Sequence, residues 1–394
     1  MVQTDCRHFS GYKPCSKNTI CSEHCKLKEV ATPRILIIHL EALGAVLRAT
    51  VILRAIHSQW PKAHVTWITN PLASALLENN PYINRLLKNN HEGTLALSTL
   101  AFDYTFCVDK SLVAAGLMEI PIDSGERRGF GVDQKTGAII PLNLDAQKLY
   151  EIGLSNYEKF YVNKKSEAQL IIESLGFKSH REKYVFEFTR DEKLLKTKER
   201  ERLGLIRSKK PIIGFNTGCS PTISYKKLTV AGWCKLIEMI SLKYPGSPLL
   251  LLGGPEDTQR NIQIATILTQ ATVIATPTLL GLRQGMIYID MCDAVITGDS
   301  LGMHMAIALN KWTVAWFGPT CAHEIDFYDR GAAVVTEAPC SPCWKRSCDK
   351  EVMCYDQVNY DKIISALSVG LRKLIDQGLV KFSHVSSINQ MSSL

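Results

Sequence analysis

Residues 34–69 read RILIIHLEALGAVLRATVILRAIHSQWPKAHVTWIT, and this stretch decides the fold. Arg34 to Leu40 is a short, continuous apolar run, the pattern of a strand buried on both faces. A turn containing Glu41 and Gly44 follows, and then Val46, Leu47, Ile52, Leu53 and Ile56 recur at helical spacing as far as Trp60-Pro61. His64 to Thr69 is a second strand, closed by Asn70-Pro71. Strand, helix and strand in so short a stretch make a βαβ unit, which requires a parallel sheet covered by helices.

The same rhythm continues outward. Tyr104–Val108 and Lys183–Phe188 carry further strand signals, and residues 189–209, dense in charge, predict a surface helix leading out of a first domain. A second series then begins. Pro211–Phe215, Pro248–Leu252, Ala294–Thr297 and Trp312–Phe317 are expected strands, with a helix around Trp233–Leu242. Ile364, Leu367, Leu371, Leu374 and Ile375 form the apolar stripe of a late helix. The expected fold class is therefore α/β, with two doubly wound domains in series. The boundaries are a Cys-rich segment at 1–30, a first domain at 31–190, a second at 191–380 and a frayed tail at 381–394.

Composition agrees. Of 394 residues, 46% are apolar and 21% charged, which excludes wholesale disorder. The N-terminus lacks the apolar stretch of a secretory signal, and no run approaches the length of a membrane span, so a cytoplasmic protein is expected. The net charge of +8 is mild over this length and comes without a long basic run, which argues against a nucleic-acid partner. It suits an anionic small substrate or an acidic membrane surface.

In doubly wound sheets, ligands bind outside the carboxyl ends of the strands. The loops at those ends in the second half share a composition. Between Asn216 and Lys226, Gly218 and the hydroxyls of Ser220 and Thr222 can approach an anion, with Lys226 adding a full charge. Glu256 follows Gly253-Gly254, where a carboxylate can accept both hydroxyls of a ribose. Asp299 to His304 reads as a strand-to-helix turn with Ser300 and Gly302 inside it. Singly, each has an ordinary role: loop, helix cap, surface charge or core histidine. Recurrence at three strand ends makes the case for a nucleotide-diphosphate pocket in which Lys226, Glu256 and His304 converge.

Eight of the thirteen cysteines fall in two short groups. Cys6, Cys15, Cys21 and Cys25 form the first, and Cys340, Cys343, Cys348 and Cys354 the second. In a reducing compartment such spacing indicates thiolate metal sites, most strongly for the second group, with two separate sites expected, zinc as the default, and iron, an iron–sulfur cluster or a bridged arrangement of the two groups open. His8 and His24 are spare ligand candidates. A structural role is expected for these metals, because nothing in the sequence puts them beside the strand-end loops. Independent reduced thiols are the plain alternative.

VITGDSLGMHMAIALNKWTVAWFGPT, residues 295–320, resembles the signature of the glycosyltransferase family that contains the bacterial ADP-heptose:lipopolysaccharide heptosyltransferases. That signature reads Asp-Ser/Thr-Gly-x-x-His-x-x-x-Ala-Leu, then Gly-Pro-Thr; here Leu301-Gly302 stands where Gly-x is usual. The likeness extends to RILIIHLEALGAVLRATVILRAI, to Lys226 ahead of Trp233 and to LLLGGPED, and so runs through both halves of the chain. It implies a GT-B enzyme, two Rossmann-like domains facing a cleft, that transfers heptose from ADP-heptose with inversion and without a catalytic metal. The acceptor would be a lipopolysaccharide-core-like glycan or a protein hydroxyl, the former compatible with peripheral contact at the inner membrane. The resemblance assigns Lys226 with Ser220 or Thr222 to the phosphates and Glu256 to the ribose. Asp299, Ser300, Gly302 and His304 would hold the diphosphate and sugar, and Gly44 would line the first-domain loop. Relatives that modify autotransporter proteins carry a Cys-rich iron finger in the region of Cys340.

One departure matters. The family's first-domain loop reads Gly-Asp-Val, with the Asp taken as the base that deprotonates the acceptor; here it is Gly44-Ala45-Val46. Alanine takes no proton. Glu41, in the same loop, is the substitute, and His39 at the strand end is the second choice. Ala45 also keeps open a non-catalytic relative that binds a nucleotide sugar or glycan. A thiol-based redox or metal-sensing protein would leave the strand-end loops unexplained. The sequence does not specify the oligomeric state.

Overall fold

The computed structural model describes residues 2–9, 11–12, 15, 17, 20–206, 208–269, 271 and 273–379. The expected tail at 381–394 lies outside them. The chain divides into two compact units, Met1–Glu187 and Phe188–Leu394.

The sheet of the first unit contains β1 (Arg34–Ile38), β2 (His64–Thr69), β3 (Arg85–Lys88), β4 (Tyr104–Cys107), β5 (Glu126–Val132) and β6 (Ile139–Pro141). Their order is β3-β2-β1-β4-β5-β6. All neighbours are parallel except β6, which runs antiparallel to β5. Ile35, Leu36, Ile37 and Ile38 are fully buried, as the continuous apolar run requires of a strand paired on both sides. Each contributes roughly 1.5–3 kcal/mol relative to exposure.

The helical pattern after β1 resolves into two segments, Leu43–Ala49 and Val51–Gln59, abutting at Thr50. The Thr50 hydroxyl donates to the Leu47 carbonyl at 2.6 Å and accepts the Val185 N–H at 2.9 Å. That second bond explains a correction. Residues 183–188, expected as a strand, join no ladder. Tyr184 and Val185 are buried, and the Val185 carbonyl accepts from Asn80 Nδ2 at 3.2 Å. An apolar run indicates burial, and here burial is achieved by a strap across the unit rather than by a sheet. Conversely, β3 and β6, short and half-exposed at the sheet edges, lack the continuous apolar run that betrays a central strand.

In the second unit the strands are β7 (Ile213–Asn216), β8 (Leu249–Leu252), β9 (Val273–Ala275), β10 (Ala294–Gly298), β11 (Trp312–Phe317) and β12 (Gly331–Val335). The order is β12-β11-β10-β7-β8-β9, parallel throughout. Both sheets are thus Rossmann-like, with the winding direction reversing between β1 and β4 in the first and between β7 and β10 in the second.

The charged segment forms the helix Arg190–Arg202, opened by a capping box between Thr189 and Glu192. It has no buried residue and is held by ion pairs instead. Glu192 pairs with Arg283 at 2.5 Å and Lys196 with Asp290 at 2.6 Å, both on the helix Leu282–Met291. Trp233, fully buried on the helix Val230–Lys243, donates its indole N–H to the Thr217 carbonyl at 3.2 Å and so ties that helix to the end of β7. The late helix is Tyr360–Asp376, with Ile364, Leu367, Leu371 and Leu374 in the core. Among the described residues, no helix is long and apolar enough to cross a membrane.

Candidate nucleotide-diphosphate site

Asn216 ends β7, at the point where the second sheet reverses direction. Its buried side-chain amide donates to the Gly218 carbonyl at 3.1 Å, Thr297 Oγ1 at 3.2 Å and Ser300 Oγ at 3.0 Å. One amide thereby joins the loop after β7 to the turn after β10. Three glycines permit the approach. A Cβ on Gly302 would overlap the Asn216 amide, one on Gly298 the Lys226 carbonyl, and one on Gly218 the Asp257 carboxylate.

Held in this way, Lys226 Nζ lies 3.2 Å from Asp299 Oδ2, both side chains less than a fifth exposed. Burial alone would raise the Asp299 carboxyl, but the Lys226 ammonium and His304 outweigh it and hold the group below the ordinary carboxylate range. Ser300 is the N-cap residue of the helix Leu301–Ala308, whose first turn contains Gly302 and His304; His304 is buried. The first N–H groups of a helix have no partner within it. They follow directly on Asp299, whose carboxylate pairs with Lys226, and His304 lies in the same turn, so N–H donors and cationic groups share this strand end with one carboxylate.

Glu256 stands at the end of β8, exposed, and does not join that cluster. It lines a hollow of about 740 Å³ together with Lys227, Arg260 and Thr229. Its neighbour Asp257 is buried against Gly218 and accepts the Gly254 N–H at 3.0 Å; burial, with Glu256 adding repulsion, pushes its carboxyl up. Of the expected phosphate contacts, then, Lys226, Asp299, Ser300, Gly302 and His304 are brought together, and Glu256 lies in the hollow with Lys227. Ser220 and Thr222 are exposed in a short 3-10 turn and bond to one another at 3.2 Å.

The second cysteine group corrects one premise. It does lie beside these loops. Arg346, Cys348, Met353 and Tyr355 form a wall of the 740 Å³ hollow. Cys354 packs with Ile223 and Tyr225 of the β7 loop, and a Cβ on Gly318 would overlap its sulfur. The Tyr225 hydroxyl donates to the Lys345 carbonyl, Ser341 Oγ donates to the Gly318 carbonyl, and the Cys343 N–H donates to the Pro319 carbonyl. The four thiols are gathered. Cys354 is pushed up to about 11 by burial and then by Cys343, Cys348 and Cys340. At the other end, Cys6, His8, Cys15, Cys21 and Cys25 line one small cavity of about 20 Å³, with His8 Nε2 3.2 Å from Glu29; His24 is exposed beside Glu23. Among the described residues, however, no group of three or more His, Cys, Asp or Glu side chains is placed to hold a metal ion.

In the first unit, Glu41 is exposed and accepts from Asn70 Nδ2 at 3.2 Å. Gly44 and Ala45 lie half-buried in the first turn of the helix Leu43–Ala49. His39 is buried, its Nδ1 3.5 Å from Asp109 Oδ2. The sequence reading missed Asn216, Asp257 and Asp109. Each stands at a strand end, which was the available signal, but nothing in one sequence distinguishes such residues from turn formers.

The two Rossmann-like units give the chain a fold similar to that of the GT-B heptosyltransferases. The profile of glycosyltransferase family 9 (heptosyltransferase) matches residues 155–353, and the chain belongs to that family of glycosyltransferases. It is 23% identical, over 326 residues, to the lipopolysaccharide heptosyltransferase 1 of Campylobacter coli, covering 75% of this chain and 86% of that protein. Among solved structures, it is similar to the ADP-heptose lipopolysaccharide heptosyltransferase II of E. coli, with a TM-score of 0.61, 16% identity and coverage of 86% and 99%. It is also similar to the iron-containing dodecameric glycosyltransferase TibC of enterotoxigenic E. coli H10407, with a TM-score of 0.50, 13% identity and coverage of 87% and 77%.

Proposed function

We propose that this chain is an inverting transferase that moves a sugar, heptose from ADP-heptose, onto a lipopolysaccharide-core-like glycan or a protein hydroxyl. The observation that carries the reading is the meeting of Lys226, Asp299 and His304 at the N-terminus of the helix Leu301–Ala308, at the switch point of a parallel sheet. In the displacement, the acceptor oxygen bonds to the anomeric carbon while the bond from that carbon to the diphosphate breaks, and ADP leaves with the electron pair. The leaving group gains charge as the bond lengthens, and fixed cations and N–H donors stabilise it more in the transition state than in the bound donor. Glu256 accepts from the ribose hydroxyls, and Ser220 or Thr222 turns a hydroxyl toward the phosphates. Gly44 leaves room for the acceptor, and Glu41 or His39 takes its proton. No metal enters the chemistry, and no nucleic acid is a partner. The enzyme works in the cytoplasm, with peripheral contact at the inner membrane when the acceptor is lipid-linked.

Cys340, Cys343, Cys348 and Cys354 hold a structural zinc or iron in this reading, and Cys6, Cys15, Cys21 and Cys25 a second. The gathering of each set of thiols supports it, as does the iron content named for TibC.

The test is ADP release from ADP-heptose by the full chain, with heptose-deficient lipopolysaccharide or an unmodified autotransporter passenger as acceptor. Acceptor-dependent release is expected. Ala45 favours one second reading, a non-catalytic nucleotide-sugar or glycan binder, which predicts tight binding of ADP or of the acceptor glycan and no release with either acceptor. Absence of both ADP binding and acceptor-glycan binding overturns both.

A further inference from the structure

The hollow that Glu256 lines is larger than a ribose needs. At about 740 Å³ it is the size of a pocket for a whole small molecule, it is open to solvent ligands, and it is built within the second unit alone. Two elements face it with chemistry suited to a nucleobase. The turn Pro255–Asp257 and the helix Thr258–Ile267 supply Glu256, Gln259 and Gln263, and the Cys-rich segment supplies Arg346, Met353 and Tyr355.

On the helix the polar groups fall in a row. Glu256, Gln259 and Gln263 are spaced by three and then four residues, which puts them on one face. The two amides stand roughly 5 and 11 Å along the axis from the carboxylate. A ribose acceptor is thus followed by two hydrogen-bonding amides, in the order in which a nucleoside presents sugar and base. Both amides are exposed, and neither makes a hydrogen bond among the described residues. The cations beside Glu256 are partly engaged already. Burial raises the Asp257 carboxyl, Lys227 and Arg260 pull it back, and Arg260 also donates to the Leu228 carbonyl at 3.2 Å.

The Cys-rich segment is held firmly where it meets the hollow. The Tyr225 hydroxyl donates to the Lys345 carbonyl, next to Arg346. The Thr336 hydroxyl donates to the Cys354 carbonyl at 2.6 Å, next to Tyr355. Met353 packs on the cluster of Ile223, Tyr225 and Cys354, and Tyr355 on the core of the unit. An aromatic ring, a thioether and a planar guanidinium are surfaces on which a flat base rests.

We propose that the Cys-rich segment is a base-reading element: the donor's base lies on Arg346, Met353 and Tyr355, and Gln259 and Gln263 read its edge and select adenine. The inference rests on the donor reading above, in which Glu256 takes the ribose. A primary amide offers an acceptor and a donor side by side, and adenine answers both with its N6 amino group and N7. Guanine has O6 in place of that amino group and turns an acceptor toward the amide oxygen.

The test is calorimetry on the full chain with ADP, GDP and inorganic pyrophosphate. The wild type should bind ADP at least about tenfold more tightly than GDP. The double variant Gln259→Leu, Gln263→Leu should weaken ADP about tenfold and leave GDP within about twofold, so that the preference disappears. Arg346→Ala should weaken ADP and GDP alike, by about tenfold, because stacking is indifferent to the base. Pyrophosphate affinity should stay within about twofold throughout. All three side chains are exposed, so thermal melts of the variants should coincide with the wild type. Equal wild-type affinity for ADP and GDP, or ADP affinity unchanged in both variants, would overturn the inference while leaving the donor reading in place. Loss of pyrophosphate along with ADP in Arg346→Ala would also overturn it, by making the hollow a phosphate site. Failure of the wild type to bind ADP at all would instead defeat the donor reading, and the inference with it.

Discussion

Lys226 Nζ and Asp299 Oδ2 lie 3.2 Å apart, and this ion pair joins the loop after β7 to the turn after β10 across the switch point of the second sheet. It holds a cation at the N-terminus of the helix Leu301–Ala308 before any ligand arrives. Preorganised charge of that kind costs nothing to reorient during a reaction.

The pair makes a prediction about pH. Asp299 is depressed below its ordinary value of 3.8, so its contribution to stability is present above that value and is lost as pH falls through the lower folded value. Lys226→Met leaves a largely buried carboxylate with only His304 and the Thr320 hydroxyl to support it and should cost about 1–3 kcal/mol at pH 7. Urea unfolding of wild type and variant at pH 7 and pH 3 checks this; the gap between them should narrow at the lower pH, where Asp299 is increasingly protonated in both.

Glycine sites separate close approach from mere flexibility. Gly302→Ala drives a methyl into the Asn216 amide and should destabilise the chain by about 1–3 kcal/mol, weakening ADP binding with it. Gly285→Ala lies on the helix Leu282–Met291 with nothing within 4 Å of the added carbon and should be neutral or stabilising by about 0.5–1 kcal/mol. Thermal melts and ADP calorimetry on the two variants distinguish the cases.

Glu256 and the Lys226 cluster should divide the donor between them. Glu256→Gln, on the ribose side, should weaken ADP about tenfold and leave inorganic pyrophosphate unaffected. Lys226→Met should weaken both ligands. Equal loss of both in Glu256→Gln would mean that the hollow does not receive the nucleoside.

The Cys-rich wall offers a further test. Cys340→Ser lies outside the residues lining the 740 Å³ hollow, yet its group braces Gly318 and the β7 loop. It should lower metal content, measured by elemental analysis, and lower ADP affinity at the same time. Metal loss without any change in ADP affinity would make the finger independent of the donor site.

The central strands were legible because a strand paired on both sides needs an unbroken apolar run, as β1, β8 and β11 show. Glu256, Asp299 and His304 were legible as polar residues stranded at the ends of such runs. Residues 183–188 misled for the same reason, since an apolar run records burial and not the hydrogen-bond partner that achieves it. Asn216 and Asp109 were invisible. An asparagine or aspartate after a strand is an ordinary turn residue until its neighbours in space are known.

By itself, then, the sequence determined the class of fold, the family and the residues at the strand ends, because periodicity and motif are local and survive in one dimension. Tertiary structure alone decided that Lys226 meets Asp299 while Glu256 shares a hollow with Lys227, that Cys348 and Cys354 border the loop after β7, and that Asp109 faces His39. Those pairings join residues dozens of positions apart through the crossovers of a parallel sheet, and only the packed sheet specifies which strand ends become neighbours.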